Sequence, residues 1–453
     1  MSFKRKIYSD LVKWKDNSVR KPLILRGARQ VGKTTLIKYF SENYSHSIFL
    51  NLEKNEHFSY FEMYDDVETI LEVLFLRFSI PASKRQNTLL FIDEIQESPK
   101  AIQMLRYFYE EAPDIHVIAA GSLLEFAMKY VESFPVGRVE FLYLHPLNFQ
   151  EYLGAIGKDN ALEQLLHIPL NLYAHTILMD LFHRYAIVGG MPEVVQTEIQ
   201  RGHIGDLAKV YESLWATYKN DIEKYADNET DRKVTKHIIS NAYLYVEQRV
   251  KFQNFGNSNY RSREVGEAFR SLDDARIIRL IYPTTDVEVP LKPDFKKSPK
   301  LQFLDTGLLN YALKIQTDML EIKDLSSSYK GAIVPHMIMQ ELISVNAYSE
   351  HKPMFWVRDK KQSDAEVDLI LEYKNYAIPI EIKSGATGSL KSLHQFIDAA
   401  PHEYAVRIYG GQFSVEKTKT PSGKQYLLMN LPYYLGTKLM EYVEWFVKNN
   451  NLD

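Results

Sequence analysis

Through its first 150 residues the chain alternates short β-rich runs with longer helical patterns, and this alternation limits the fold more than any other feature. The runs Leu23 to Leu25, Ile48 to Leu52, Leu89 to Ile92, His116 to Ala120 and Val139 to Leu144 are mostly apolar throughout. Strands covered on both faces read that way, whereas half-exposed strands alternate. Between them Thr34–Tyr44, Asp66–Arg77 and Lys100–Glu111 carry helical periodicity. Strand followed by helix, repeated, predicts an α/β domain with a parallel sheet and right-handed crossovers.

The first strand runs into Gly27-Ala28-Arg29-Gln30-Val31-Gly32-Lys33-Thr34-Thr35, a match to G-x-x-x-x-G-K-[ST]. Glycines let the backbone curl so that its N–H groups face an anion, and the next helix aims its positive end at the same point. Lys33 is placed to reach β- and γ-phosphates, and Thr34 to set its hydroxyl on Mg²⁺. A glycine turn with an incidental lysine would satisfy the letters. It would not require a strand before the motif and a helix after it, and this sequence supplies both.

Sixty positions beyond Lys33, the apolar run Thr88-Leu-Leu-Phe-Ile ends in Asp93 and Glu94. Asp93 can complete a Mg²⁺ shell and Glu94 can polarise an attacking water. A later strand ends in Ala120-Gly121-Ser122, where Ser122 either senses a γ-phosphate or caps a helix.

RGARQVGKTT, LLFIDEIQ, AAGSLLEF and GRVEFLYLHPLNFQEYL together resemble an uncharacterised prokaryotic group of AAA+ superfamily ATPases. FLDTGLLNYAL and EVDLI…IPIEIK extend the resemblance over most of the chain. It implies a P-loop NTPase sheet of the AAA+/ASCE type and Mg-ATP at Gly27–Thr34, with Lys33, Thr34, Asp93 and Glu94 in the roles above. It also sets Arg138 in a "GR" element where similar ATPases carry a phosphate-contacting arginine, in cis or from a neighbouring subunit. By residue type alone Arg138 is equally a surface arginine.

Four regions are expected: 1–150, the ATPase domain; 151–228, a helical lid; 229–313, a winged-helix-like region; and 314–453, an α/β restriction-endonuclease-like domain. In the lid, Val188-Gly-Gly-Met-Pro-Glu193 reads as an interhelical turn. A candidate recognition helix at Ser262–Asp273 has Arg261, Arg263, Arg270, Arg276 and Arg279 in or near it, diluted by Glu264, Glu267, Asp273 and Asp274. Lys292, Lys296, Lys297 and Lys300 form a second basic group.

In the last region, Pro335–Ala347 reads as a helix, and Met354–Arg358, Glu366–Tyr373 and Tyr376–Lys383 as strands. Glu381 follows Asp368 by thirteen positions, which puts them side by side on neighbouring strands, and Lys383 shares the face of Glu381. Two carboxylates with a lysine look like the D…E-x-K signature of restriction-endonuclease-like domains, with Mg²⁺ or Mn²⁺ between the acids. Glu341 would complete the ligands, and His394 and Gln395 either assist or lie on the surface. Alternating charge on a solvated strand face explains the same letters.

The chain of 453 residues carries a net charge of -3, so nothing in its overall charge demands nucleic acid, although a local basic surface is left open. With Cys 0, disulfides, thiolate nucleophiles and cysteine-ligated zinc are excluded. The N-terminus has no signal-peptide pattern, no segment is apolar enough to span a bilayer, and a cytoplasmic location is expected. The expected function is a Mg-ATPase switch or motor controlling a nuclease-like domain, with DNA or a protein as partner. An ATP-regulated nuclease, and a signalling ATPase whose nuclease-like domain only binds protein, are the alternatives.

Overall fold

The computed structural model describes residues 3–122, 124, 127, 131, 133–202, 204–226, 228–316, 331–350, 352–359, 365–383 and 389–452. They form two compact units. The first is Met1–His145, joined by two short returns of chain, Asp274–Arg276 and Asn346–Glu350.

This unit runs α1 (Tyr8–Asp16), β1 (Leu23–Arg26), α2 (Lys33–Phe40), β2 (His46–Asn51), α3 (Asn55–Met63), α4 (Val67–Arg77), β3 (Thr88–Asp93), α5 (Pro99–Glu110), β4 (His116–Gly121) and β5 (Glu140–Tyr143). The strands pair in the order β2-β3-β4-β1-β5, all parallel. Every residue of β1, β3 and β4 is buried, which is why those runs carry no polar alternation. Ile48, Leu90 and Val117 of the sheet share one core with Ile70 and Leu74 of α4 and Ile102 and Phe108 of α5. Asp66 caps α4 through the Thr69 amide, and Ser98 caps α5 with Pro99 in its first turn. Because β4 lies between β1 and β3, the chain leaves all three strands side by side, at Arg26, Gly121 and Asp93.

The second unit holds Pro146–Asp273, Ile277–Val345 and His351–Asp453. It begins with α6 (Phe149–Ala155), α7 (Asp159–Leu166), α8 (His175–Val188), α9 (Pro192–Arg201), α10 (Ala208–Tyr225), α11 (Glu229–Asn241) and α12 (Ser262–Asp274). Next, β6 (Ile278–Ile281) pairs antiparallel with β8 (Lys300–Phe303), β7 (Pro283–Thr284) lying between them in sequence. The helices α13 (Thr306–Leu313) and α14 (Ile333–Ser344) precede β9 (Met354–Val357), β10 (Glu366–Tyr373) and β11 (Tyr376–Ile382). The chain closes with α15 (Lys391–Ala399), β12 (Tyr404–Tyr409), β13 (Ser414–Lys419), β14 (Gln425–Pro432) and α16 (Leu439–Asn449). One mixed sheet gathers these strands as β13-β14-β12-β11-β10-β9-β7. It is larger than the three-strand reading of the sequence. β12 to β14 extend one side, and β7, from the expected winged-helix-like region, pairs with β9 on the other.

The VGGMPE segment, to which the sequence assigned only a turn, is one side of a clasp. The Gly190 N–H donates to Asp305 at 2.6 Å, while the Gly190 carbonyl accepts the Leu147 N–H at 2.7 Å. A Cβ on Gly190 would overlap the Leu147 carbonyl, so only glycine fits. Asp305 also caps α13 through the Leu308 amide at 3.0 Å. Burial pushes its carboxyl up to about 6, against the pull of these amide donors. Among the described residues no helix is long and apolar enough to cross a membrane.

Candidate functional site

The loop after β1 has a backbone that its sequence can adopt only in part by ordinary residues. Gly27 and Gly32 take φ 156° and 96°, and a Cβ on Gly27 would overlap the Leu144 carbonyl. Gln30, at φ 62°, is a non-glycine residue in the left-handed region, a conformation that clusters at functional loops. Lys33 opens α2 and folds back, donating to the carbonyls of Gly27 and Ala28, each at 2.9 Å. Burial drives its pKa down to about 8; Glu94 and Asp93 oppose the shift, and Arg276 and Arg29 add to it.

The Thr34 hydroxyl donates to Asp93 Oδ2 at 2.7 Å, so the threonine of the loop and the aspartate of β3 converge on one point. Burial raises the Asp93 pKa. A hydroxyl and a buried carboxylate facing each other make the hard oxygen pair that Mg²⁺ prefers, so the residues present fit that ion. Glu94 follows at φ 54° and accepts from Gln96 Nε2 at 2.7 Å. Ser122 is buried just past β4, between the ends of β1 and β3, and its hydroxyl has no hydrogen-bond partner among the described residues. Leu123, Glu125 and Phe126 of AAGSLLEF lie outside the described residues. Arg29, half-buried, pairs with Glu53 at 3.4 Å; Ala28 and Val31 are buried, and Thr35 lies in the first turn of α2.

Arg138 is not at this site. It precedes β5, at the edge of the sheet opposite the loop, and pairs with Glu110 at 3.0 Å. The strand direction is the reason, since β5 runs parallel to β1 and its start is farthest from where β1 ends. Besides Arg29 of the loop itself, the arginine that reaches Lys33 electrostatically is Arg276, which the sequence grouped with a recognition helix. It is buried at 3% exposure with φ 61°, lies 5.4 Å over the Tyr143 ring, and is 3.5 Å from Glu350. A buried arginine cannot read a groove. The same holds for Arg279, buried and 3.7 Å from Asp273. No local signal marks Arg276, because its neighbours come from distant stretches of sequence.

In the second unit, β10 and β11 pair antiparallel and bring Asp368 close enough to Glu381 for its charge to act on that carboxyl. Asp368 Oδ2 accepts the Ile382 N–H at 2.8 Å, and Lys383 pairs with Glu381 at 2.5 Å. Burial, followed by the charge of Asp368, lifts Glu381 to about 7. Glu341 is not part of this set. Its carboxyl oxygens meet the Phe149 N–H at 3.0 Å and the Tyr185 hydroxyl at 2.7 Å, and burial pushes it up to about 8. A helix residue read by spacing alone can face either side, and here α14 turns Glu341 toward the helices. His394 contacts the Tyr426 hydroxyl and Gln395 accepts from Arg358. Two residues unmarked in the sequence do join the acids, Glu247 and Glu366, and Lys300 of the second basic group is buried beside these two. Among the described residues no group of three or more His, Cys, Asp or Glu is arranged to hold a metal ion.

Residues 19–153 match the description of an AAA domain, and residues 179–319 and 330–434 match two domains of unknown function, DUF8612 and DUF4143. No curated protein matches the chain. Similar solved structures include C. elegans PCH-2, at 12% identity and TM-score 0.26, covering 43% of this chain and 62% of that one. A signal transduction ATPase with numerous domains and a tetratricopeptide repeat sensor, from Pyrococcus horikoshii, has 11% identity and TM-score 0.30, covering 76% and 48%. Drosophila ORC bound to DNA has 12% identity and TM-score 0.25, covering 68% and 85%. The chain thus spans less than two thirds of the first two, and at these scores none of the likenesses bears on function. The AAA match covers the loop with Lys33 and the strand with Asp93, and it supports an ATP-binding P-loop ATPase domain.

Proposed function

We propose that the chain is a Mg²⁺-dependent ATPase working as a switch or motor, whose nucleotide state controls its C-terminal nuclease-like module on DNA. The observation that carries the reading is the convergence of Thr34 and Asp93 at 2.7 Å beside the folded-back Lys33. Thr34 and Asp93 would hold Mg²⁺, which would neutralise charge between the β- and γ-phosphates. Lys33 would exchange its two carbonyls for phosphate oxygens, Glu94 would orient water, and Ser122 would meet the γ-phosphate. Arg276 adds a buried positive charge within electrostatic reach of Lys33, and Arg138 is exposed for a neighbouring copy. Control of the second unit is supported by chain continuity, since Asp274–Arg276 of the nucleotide unit starts at the last residue of α12 and Asn346–Glu350 starts two residues beyond α14.

The test is ATP binding and hydrolysis by the full chain and by Lys33→Ala, with and without DNA. Losing the lysine's charged contacts should weaken ATP roughly 10- to 100-fold in a folded protein. DNA-stimulated hydrolysis would support action on DNA; a rate indifferent to DNA would leave a protein partner as the target. Unchanged ATP affinity in folded Lys33→Ala would sink the assignment.

A further inference from the structure

The carboxylates of the second unit already contain a cation. Lys300, on β8, sets its Nζ 2.9 Å from Glu366 and 3.4 Å from Glu247, with the Phe355 ring centroid 5.0 Å away. Its side chain is 8% exposed. Glu247 reaches it from a position with φ 59°, just after the turn Ala242–Tyr245. Asp368 and Glu381 also lie within its electrostatic reach. Two acids thus contact one ammonium group and two more lie within its electrostatic reach, the four coming from three separate stretches of sequence.

Such a gathering needs a counter-charge. Buried carboxylates without one repel each other and lose their hydration, at a cost of several kcal/mol per ion (roughly). Lys383 answers Glu381, and Arg249, at 3.3 Å, answers the outer side of Glu366. Among the cations named, Glu247 faces Lys300 alone, and Asp368 faces Lys300 first and Lys383 after it, with the Ile382 amide as a donor. Burial works against the lysine's charge, yet the surrounding acids hold its pKa above the ordinary lysine range.

We propose that Lys300 is the resident cation of this cluster, standing where a nuclease centre would hold a divalent metal. The site is thereby closed to Mg²⁺ and Mn²⁺, and the C-terminal module does not cut nucleic acid. Geometry favours this over a metal site. Asp368 spends one oxygen on the Ile382 amide, Glu366 is held by two cations, and Lys383 leans on Glu381 instead of pointing into an open cleft. The ammonium also ties β8, which pairs with β6, to β10 of the larger sheet by a charge. This inference rests on the second unit alone and stands or falls apart from the ATP reading.

The experiment measures Mn²⁺ binding to the full chain without nucleotide, by electron paramagnetic resonance, for the parent, Lys300→Gln, Asp368→Asn and Lys300→Gln/Asp368→Asn proteins. The parent should hold no Mn²⁺ that Asp368→Asn removes. Lys300→Gln should gain one ion bound at least tenfold more tightly than any parent site, and lose it again in the double variant. Should Lys300→Gln fail to fold, Glu247→Gln/Lys300→Gln, which drops one buried charge of each sign, takes its place. Mn²⁺ bound by the parent and abolished by Asp368→Asn would overturn the proposal. So would the absence of any gain in the folded lysine variants, or Asp368-dependent cleavage of linear or single-stranded DNA by the parent.

Discussion

The Thr34 hydroxyl meets Asp93 Oδ2 at 2.7 Å, joining residues that are 59 positions apart in sequence. The bond exists because β4 separates β1 from β3 by one strand's width, so the loop after one and the carboxylate ending the other share an edge of the sheet. Of the residues around it, Lys33 has the most distinctive chemistry, since burial takes its pKa down to about 8.

That shift has a sign that binding can read. Above pH 8 the free protein carries a partly neutral Lys33, while ATP phosphates would restore its charge, so binding takes up a proton. ATP affinity should be flat below pH 7 and weaken roughly tenfold by pH 9. Titration calorimetry in buffers of different ionisation enthalpy should show proton uptake that Lys33→Ala abolishes. An affinity independent of pH between 7 and 9 would contradict the assignment.

Glu94→Gln should keep Mg-ATP binding and slow turnover at least about 100-fold, because an amide keeps the shape but cannot take a proton. The Gln96 contact at 2.7 Å survives the change by reorienting the amide, so the fold is not at issue. Hydrolysis at the parent rate would mean that another group positions the water.

Gly190 and Gly154 should respond oppositely to alanine. A Cβ on Gly190 runs into the Leu147 backbone, and the clasp to Asp305 should open at a loss of about 3 kcal/mol or more. Gly154 lies in α6, where an added Cβ meets only the Leu162 side chain at 4.0 Å. There alanine should add roughly 0.5–1 kcal/mol. Chemical denaturation of the two variants checks both signs, and a tolerated Gly190→Ala would refute the clasp.

Glu341 makes a different statement about pH. Its folded pKa of about 8 lies above the ordinary 4.5, so the fold favours the protonated acid. The stability it lends is complete below pH 4.5 and is lost as pH rises through 8. Glutamine keeps an oxygen to accept the Phe149 N–H, and its amide N–H can face the Tyr185 oxygen while that hydroxyl donates to the Leu147 carbonyl, without a charge to ionise. The melting temperature of Glu341→Gln relative to the parent should therefore climb between pH 6 and pH 9. A constant difference would mean that Glu341 ionises freely in the fold.

The legible parts of this protein were those whose partners are near in sequence or whose backbone is dictated by it. Gly27 to Thr34 spells its own loop, and the run ending at Asp93 is a buried strand by composition alone. Asp368, Glu381 and Lys383 follow from pairing two adjacent strands. Glu247 and Lys300 could not be read, since what matters about them is the company of β10 and β11, and a lysine in a polar stretch looks solvated. β13, with the polar sequence SVEKTK, has no apolar face to betray a strand at the rim of a sheet. Glu341 fitted a metal pattern by spacing, but spacing does not say which way α14 faces.

The two-residue strand β7 has a consequence for how such a module can be inherited or borrowed. A gene segment beginning near codon 314 would leave β7 behind, together with Glu247 and Lys300. Its product would present β9 as a bare rim, inviting another chain to zip onto it, over acids stripped of their ammonium. A transplanted C-terminal sheet would keep these contacts only with the stretch from about residue 242 carried along. The cut that looks natural in the linear text would sever the object.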